Sequence, residues 1–380
     1  MVKHLALIDP LSRHGGMHYY DHDLANALVG LGVPVEVCSP PTGLEAGARY
    51  GVHVCFENVY GPGNGPQLRR AAYLLRDTFR ALSKAHKAGC DTVLFHIFKS
   101  DLFEYLIVRG AHRLGMKCHA IVHDVARLDT KTRFEFREAI VARVDGLIVH
   151  NAFSRDALAA AAPMAAAKTA IMRHGNYVDR FTDLPSMPAA RGELGLAEDQ
   201  LVLLFFGNPR RDKGLDLLIE ALVPLRDDPN LCLLVAGKIK PDDERALRAK
   251  LADKGLLGRV RLDIGHVPDD KVSIYYRAAS IVVLPYLRIY ESGVALMAMS
   301  FARTILASDL PAFQDLAVDG AKVRLFKAHD ATSLTQALID LRQGDVDLEW
   351  EGQEARTFVE EERSWARSAA ALVDAMHSNR

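Results

Sequence analysis

Hydrophobic positions along the chain fall into short unbroken runs separated by longer stretches of helical spacing. In the first half the runs are HLALID (His4–Asp9), VPVEVC (Val33–Cys38), TVLFHIF (Thr92–Phe98), KCHAIVHD (Lys117–Asp124) and GLIVHN (Gly146–Asn151). Runs of this length without polar alternation fit strands buried on both faces of a parallel sheet. Helical spacing recurs over Met17–Gly30 and Gln67–Ala88, and a short strand in AIMRHG ends at His174–Gly175. A second array starts at LVLLFF (Leu201–Phe206) and continues through LCLLVAG, RVRLDIG, SIVVLPY, RTILASD and AKVRLF. Between the arrays, Asp183–Gln200 has two prolines and little periodicity, so it reads as an interdomain linker with one helical turn. Strand–helix alternation of this kind predicts an α/β protein with two Rossmann-like, doubly wound domains, over 1–185 and 186–360, that face each other across a substrate cleft.

Length and composition bound this picture without changing it. At 380 residues the chain is too long for one ordinary core. A formal net charge of −1 gives no support to a nucleic-acid partner. Five scattered cysteines form no CxxC pair and read as reduced, buried thiols, which favours the cytoplasm. The apolar stretch Leu5–Ile8 is too short for a signal-peptide core, and no run of 18 apolar residues occurs. One segment departs from the neutral average. Helix 67–88 carries six Lys and Arg against the single acid Asp77, a net charge of +5, with Tyr73, Leu74, Leu75, Phe79 and Leu82 as its apolar side. It is either a solvated helix packed on the sheet or a peripheral contact for anionic lipid on the cytoplasmic face of a membrane.

Candidate chemistry lies where strands end, since open parallel sheets bind ligands at their carboxyl edge. In LVLLFFGNPRRDKG, Gly207 and Pro209 stop a buried strand, and the loop then presents Arg210, Arg211 and Lys213. Cations at that place suit a phosphate; the alternative is an ordinary charged turn. In LPYLRIYESGVALMAMSF a second strand stops at Pro285, and Ser292–Gly293 opens a helix whose free N–H groups suit a diphosphate. Glu291 is placed to accept hydrogen bonds from sugar hydroxyls or to serve the helix dipole. In the first half, Gly15 and Gly16 follow the first strand, where backbone N–H groups reach a ligand. This loop is not GxGxxG, so no nicotinamide or flavin cofactor is expected. His96 and the pair His123–Asp124 end adjacent apolar strands, as site residues or as satisfied structural histidines, and His18 is either a sugar or phosphate contact at the cleft edge or an ordinary surface or packing histidine. His14, His18 and His22 recur every four residues, but Gly15–Gly16 interrupt the helix and no carboxylate completes a ligand set, so no metal is expected. GPGNGP (Gly61–Pro66) reads as a turn without a nucleotide role.

Together the two landmarks of the second array resemble the nucleotide-sugar glycosyltransferases of GT-B fold, family 4 in particular. The resemblance covers Leu201 to about Leu341 well and the first domain in outline. FFGNPRRDKGLDLLIEAL resembles the donor-binding loop, which implies that Arg210 and Lys213 hold the donor diphosphate. ESGVALMAMSFARTILASD resembles the helix that normally carries two glutamates seven residues apart; here Met297 stands at the second and Glu291 is offset from the first. Gly15–Gly16 resembles the family's glycine loop, and His123–Asp124 its strand-end HD pair. The resemblance implies a hexosyltransferase, retaining and metal-independent, with no cofactor beyond its nucleoside-diphosphate-sugar co-substrate. It further implies a glycan or lipid-linked acceptor in polysaccharide biosynthesis, His123, Asp124 and Glu291 at the reacting centre, and a last helix, 361–380, that packs back on the first domain. A nucleotide-sugar epimerase or phosphorylase, or a non-catalytic nucleotide-sugar-binding protein, uses the same fold.

Overall fold

The structure, a computed structural model, describes residues 2–12, 16–41, 47–59, 67–98, 102–125, 137–344 and 346–378. His14, Gly15 and Gly61–Pro66 lie outside the described residues. The chain divides into two compact units, 1–175 with 363–380, and 176–362.

In the first unit the elements run β1 (Leu5–Ile8), α1 (Met17–Gly30), β2 (Val35–Ser39), β3 (Gly51–Val54), α2 (Gln67–Lys87), β4 (Thr92–Ile97), α3 (Leu102–Arg113), β5 (Lys117–Val122), α4 (Arg137–Arg143), β6 (Gly146–Val149), α5 (Ala152–Ala161) and β7 (Thr169–Ile171). All strand pairs are parallel, in the order β3-β2-β1-β4-β5-β6-β7. Strands β1, β4 and β6 are buried along their whole length, as their unbroken apolar runs require. The core joins Leu5 and Leu7 of β1 with Tyr20, Leu24 and Leu28 of α1 and with Ile121 of β5 and Ile148 of β6. The edge strand β3, GVHV, alternates half-buried and exposed positions and offered no apolar run to read.

The second unit continues with α6 (Met187–Leu194), β8 (Leu201–Phe206), α7 (Leu215–Leu222), β9 (Leu231–Gly237), α8 (Pro241–Asp253), β10 (Val260–Ile264), α9 (Asp269–Ala278), β11 (Ile281–Leu284), α10 (Gly293–Ser300), β12 (Thr304–Ser308), α11 (Pro311–Val318), β13 (Val323–Phe326), α12 (Ala331–Gln343) and α13 (Leu348–Glu362). Its six parallel strands take the order β10-β9-β8-β11-β12-β13. The chain then returns to the first unit as α14 (Trp365–Ser378), which packs on α1. Ser368 Oγ donates to Arg173 O at 2.7 Å. A β-carbon on Gly175 would fall 2.2 Å from the Trp365 ring, so the close approach of this helix needs glycine there.

The segment 183–200, expected as a linker, belongs to the second unit. Ser186 Oγ caps α6 by accepting from Ala189 N–H at 3.3 Å, Pro188 sits in the first turn, and Gly195 closes the helix at φ 62. These are ordinary start and stop signals, and the two prolines masked them. Arg191 of α6 is buried and donates to Ala278 O at 3.0 Å and Ser280 Oγ at 2.8 Å. Asn176 Nδ2 donates to Val359 O at 2.6 Å and Tyr177 N–H to Ser300 Oγ at 3.0 Å, which sets the division at Gly175–Asn176.

Candidate active site

In each sheet the strand order reverses beside its first strand, between β1 and β4 and between β8 and β11. Loops leave in opposite directions at such a point and open a crevice at the carboxyl edge.

In the second unit the reversal brings both basic and helix-start landmarks together. The β8–α7 loop holds Arg210, Arg211 and Lys213, and the β11–α10 loop runs from Pro285 to Ser292. Leu287 N–H donates to Asp212 O at 2.9 Å, which ties one loop to the other. Gly214 completes the tie. It has φ +68, and a β-carbon there would lie 1.7 Å from Pro285 O. Lys213 Nζ stands 3.8 Å from the centre of the buried Tyr286 ring.

Arg210 is differently occupied from what its position alone suggested. Its Nε donates to Asp212 Oδ1 at 3.1 Å and its Nη2 to Asp212 Oδ2 at 2.9 Å, with the guanidinium more than half exposed. Burial pushes the Asp212 carboxyl up, but the bonds from Arg210 and the charge of Lys213 outweigh it and hold the group below its ordinary value. Asp212 thus fixes the Arg210 fork; sequence reasoning passed over it because an acid among cations reads as a turn residue.

At α10 the cap is Ser292, whose Oγ accepts from Ala295 N–H at 3.2 Å. The Ser292 N–H itself donates to Glu291 Oε1 at 3.1 Å. The donors left at this helix start are the backbone N–H groups of Gly293 and Val294, which bond to no group among the described residues. Glu291 is therefore already engaged locally.

A recess of about 940 Å³ in the second unit lies on the other side of the β8 loop, toward β9 and α8. Arg210, Arg211, Lys238, Lys240 and Lys250 line it, while Lys213, Glu291, Ser292 and Gly293 do not. Arg210 is the residue common to both sides.

In the first unit the carboxyl edge carries one histidine from each of four adjacent strands. His96 lies in β4, and His123, His150 and His174 follow β5, β6 and β7. Successive ring centroids are 5.0, 5.3 and 5.4 Å apart. The buried Tyr20 ring lies edge-on to all four, and Trp365 joins at 4.9 Å from it. His96 Nδ1 and His123 Nε2 share a hydrogen bond of 2.8 Å, and His96 Nε2 lies 2.9 Å from Asp21 Oδ1. Ser12 Oγ donates to Asp21 Oδ2 at 2.9 Å.

Burial makes three of these imidazoles hard to charge. It pulls His96, His123 and His174 below their ordinary value, His174 to about 3, and for His123 the three other histidines add to the effect. Burial also raises the Asp9 carboxyl, with Asp21 adding to it, and lifts Asp21 to about 7 against the opposing bonds from Asp9 and Ser12. Asp9, Asp21 and His96 place one ligand atom each within 4.8 Å of one another and are all buried. Two acids and an imidazole so placed suit either shared protons or a divalent cation.

Other expected residues lie around this edge. Asp124 is half-buried beside His123. Gly16 caps α1 with φ 83, and its carbonyl accepts from Tyr19 N–H at 3.1 Å. His18 packs its ring on Tyr19 at 4.0 Å and lines a small recess toward β2 and β3 with Ser12, Asp21 and Tyr50. His22, from the same periodic triplet, bonds Tyr50 Oη at 2.9 Å and Asn26 Nδ2 at 2.9 Å. Asp9, Asp21, His150 and Tyr20 were not singled out from sequence, although a histidine after each of several consecutive strands was a readable signal.

Two family models match the chain. Residues 14–180 match Glycosyltransferase Family 4, and residues 200–343 match Glycosyl transferases group 1. The D-inositol 3-phosphate glycosyltransferase of Streptomyces scabiei is 25% identical over 396 residues, 96% of this chain and 88% of that protein. Its counterpart in Streptomyces avermitilis is 26% identical over 352 residues, 86% of this chain and 75% of that protein. Among solved structures, Anabaena HepE in complex with UDP and glucose superposes with TM-score 0.80 at 16% identity, covering 99% of this chain and 100% of that one. Sucrose-phosphate synthase from Thermosynechococcus elongatus superposes with TM-score 0.76 at 19% identity, covering 99% and 98%.

Proposed function

From the premise that the chain belongs to the GT-B glycosyltransferases, we propose that it moves a hexose from a nucleoside-diphosphate sugar to a glycan or lipid-linked acceptor in polysaccharide biosynthesis. The observation that carries the donor class is the pairing of loops at the β8–β11 reversal. A half-buried ammonium, an oriented guanidinium and two unbonded backbone N–H groups belong to two loops tied to each other.

As the bond from the anomeric carbon to the diphosphate breaks, its electron pair stays on the leaving phosphate. Fixed cations and dipoles there stabilise the transition state more than the ground state. Lys213, the guanidinium of Arg210 and the N–H groups of Gly293 and Val294 take that part. Retention of configuration is the stereochemistry proposed, with the leaving phosphate taking the acceptor's proton. His123 then holds a sugar hydroxyl beside the anomeric carbon, with Asp124 and Glu291 as further hydroxyl contacts. Gly15 and Gly16 offer backbone to the donor, and His18 and His96 serve the sugar or acceptor side. Neither a metal nor a further cofactor is needed for these roles. HepE is described with UDP-glucose, which supports testing that donor first.

Thermal-shift screening of nucleoside-diphosphate sugars, followed by product analysis with a polyprenyl-linked sugar acceptor, tests the reading. Nucleoside diphosphate released only when acceptor is present supports transfer. Conversion of the donor sugar without acceptor would favour an epimerase, and stabilisation without any product a binding protein.

Helix α2 adds a peripheral membrane contact to the proposal, on the cytoplasmic side. Leu68 is 86% exposed and Phe79 48%, and both lie on one face of the helix with Ala72. Arg76 and Arg80 flank that face and are exposed, while the acid Asp77 is buried against Arg76. Apolar residues rimmed by cations suit anionic headgroups.

A further inference from the structure

We infer that Asp21 and His96 are positioning residues that lock His123 with its proton on Nε2 and a bare Nδ1, so that His123 accepts from a hydroxyl and rejects a phosphate oxygen. The inference deepens the role given to His123 above and rests on it only for the identity of the ligand. The locking itself is a property of the first unit.

The direction of the chain follows from what each atom can do. An ionised carboxylate accepts hydrogen bonds and donates none. At pH 8, where Asp21 is ionised, it accepts from Ser12 Oγ at one oxygen, so the 2.9 Å contact at its other oxygen needs a proton on His96 Nε2. A neutral imidazole carries one proton, so His96 Nδ1 is then bare. The 2.8 Å contact at that atom needs a proton on His123 Nε2. His123 is neutral in its turn, which leaves Nδ1 bare. No hydrogen bond to His123 Nδ1 is made by any described residue, and the ring is half-buried rather than enclosed.

The surroundings agree with a neutral chain. His123 meets His96, His150 and Tyr20 and stacks on Phe98 at 4.7 Å, with rings 8° from parallel. His150 Nδ1 donates to Met172 O at 2.8 Å and His174 Nδ1 to Gly175 O at 2.7 Å, while Arg363 disfavours a charge on His174. Burial and the neighbouring Asp21 raise the Asp9 carboxyl well above its ordinary value, which disfavours a second negative charge beside Asp21. Asp21 is the acid that meets His96 at the chain's end, and it carries its charge above about pH 7. A lone pair at Nδ1 meets a hydroxyl with a hydrogen bond and a phosphate oxygen with repulsion. The chain therefore distinguishes the sugar from the diphosphate.

Long-range proton–nitrogen correlation spectra of the whole chain labelled with 15N-histidine read the tautomer directly and need no substrate. His123→Gln and His96→Gln assign the resonances. At pH 8 the wild-type protein is expected to show both rings protonated at Nε2 and bare at Nδ1. In Asp21→Asn, whose amide can donate as well as accept, both rings are expected to populate both tautomers, and in His96→Gln His123 alone is expected to do so. A proton on Nδ1 of either ring in the wild type would overturn the inference, and that result needs no variant to fold. So would unchanged tautomers in Asp21→Asn. A stoichiometric divalent metal found by elemental analysis of the purified protein would also overturn it, because a metal on His96 Nε2 forces the proton to Nδ1. Full turnover in His123→Gln, with the wild-type tautomers as expected, would remove His123 from the reaction and leave the chain standing.

Discussion

The ammonium of Lys213 sits 3.8 Å above the ring of Tyr286, a residue of the neighbouring loop whose side chain is buried. A cation held over an aromatic face keeps its charge while its long stem is denied other positions. Lys213 is therefore placed before any ligand arrives. Removing one such contact to a leaving group costs about 2.7–4 kcal/mol in the transition state. Lys213→Ala is expected to lower turnover by about two orders of magnitude while the melting temperature changes little. Turnover near that of the wild type would take Lys213 out of the site.

Gly214 is where the two loops touch. Alanine there must adopt φ +68 and place a methyl 1.7 Å from Pro285 O, so the backbone has to separate. Strain of this kind costs about 1–3 kcal/mol. Gly214→Ala is expected to lose about that much in urea unfolding and to lose donor binding as well. A variant with unaltered donor affinity would show that loop contact is irrelevant to the donor.

The histidine edge gives the protein a directional response to acid. His174 titrates near 6.5 when unfolded and about 3 when folded. Between those values the unfolded chain binds a proton that the folded one refuses, so stability is present above 6.5 and is lost as pH falls toward 3. By pH 5 the loss from this group is about 2 kcal/mol. His174→Gln is expected to flatten the fall in melting temperature between pH 7 and pH 5. An unchanged slope would mean that His174 takes up its proton in the folded state.

Asp21 acts in the opposite sense. Its carboxyl moves from 3.8 to about 7 on folding, so its contribution is complete below 3.8 and is lost as pH rises through about 7. Asp21→Asn is expected to remove stability loss between pH 5 and pH 8, read as a flatter alkaline side of the melting-temperature profile. A steeper alkaline side would contradict the raised carboxyl.

For α2, Arg69→Glu with Arg80→Glu reverses two exposed charges beside the Leu68–Phe79 face and leaves the Arg76–Asp77 pair intact. Each basic residue near an anionic surface contributes about 1 kcal/mol. The double variant is expected to lose sedimentation with phosphatidylglycerol vesicles at low salt and to keep its fold. Equal sedimentation with neutral phosphatidylcholine vesicles, or none by the wild type, would remove the membrane contact. Among the described residues no helix is long and apolar enough to cross a membrane.

Most strands were legible because a doubly covered parallel sheet demands continuous apolar runs, and LVLLFF, LCLLVAG and TVLFHI supply them. β3 was missed because an edge strand is only half buried. α6 was misjudged because Pro188 reads as a breaker until its place in the first turn is known. The cationic loop was legible from its position after a buried strand. The partner that orients Arg210 was not, because an aspartate two residues away reveals nothing about whether the guanidinium turns toward it.

The sequence by itself determined where strands stop and which residues stand at their carboxyl ends, because that depends on local runs of apolar and polar residues. It also carried the family likeness in the second array. Only the tertiary structure decided that β1 lies beside β4 and β8 beside β11, which juxtaposes loops far apart in the chain. That same lateral packing aligned His96, His123, His150 and His174 and set Asp21 against the first of them. Hydrogen-bond direction in such a row depends on which group is anionic and buried at its end, a property of assembled strands that no single segment contains.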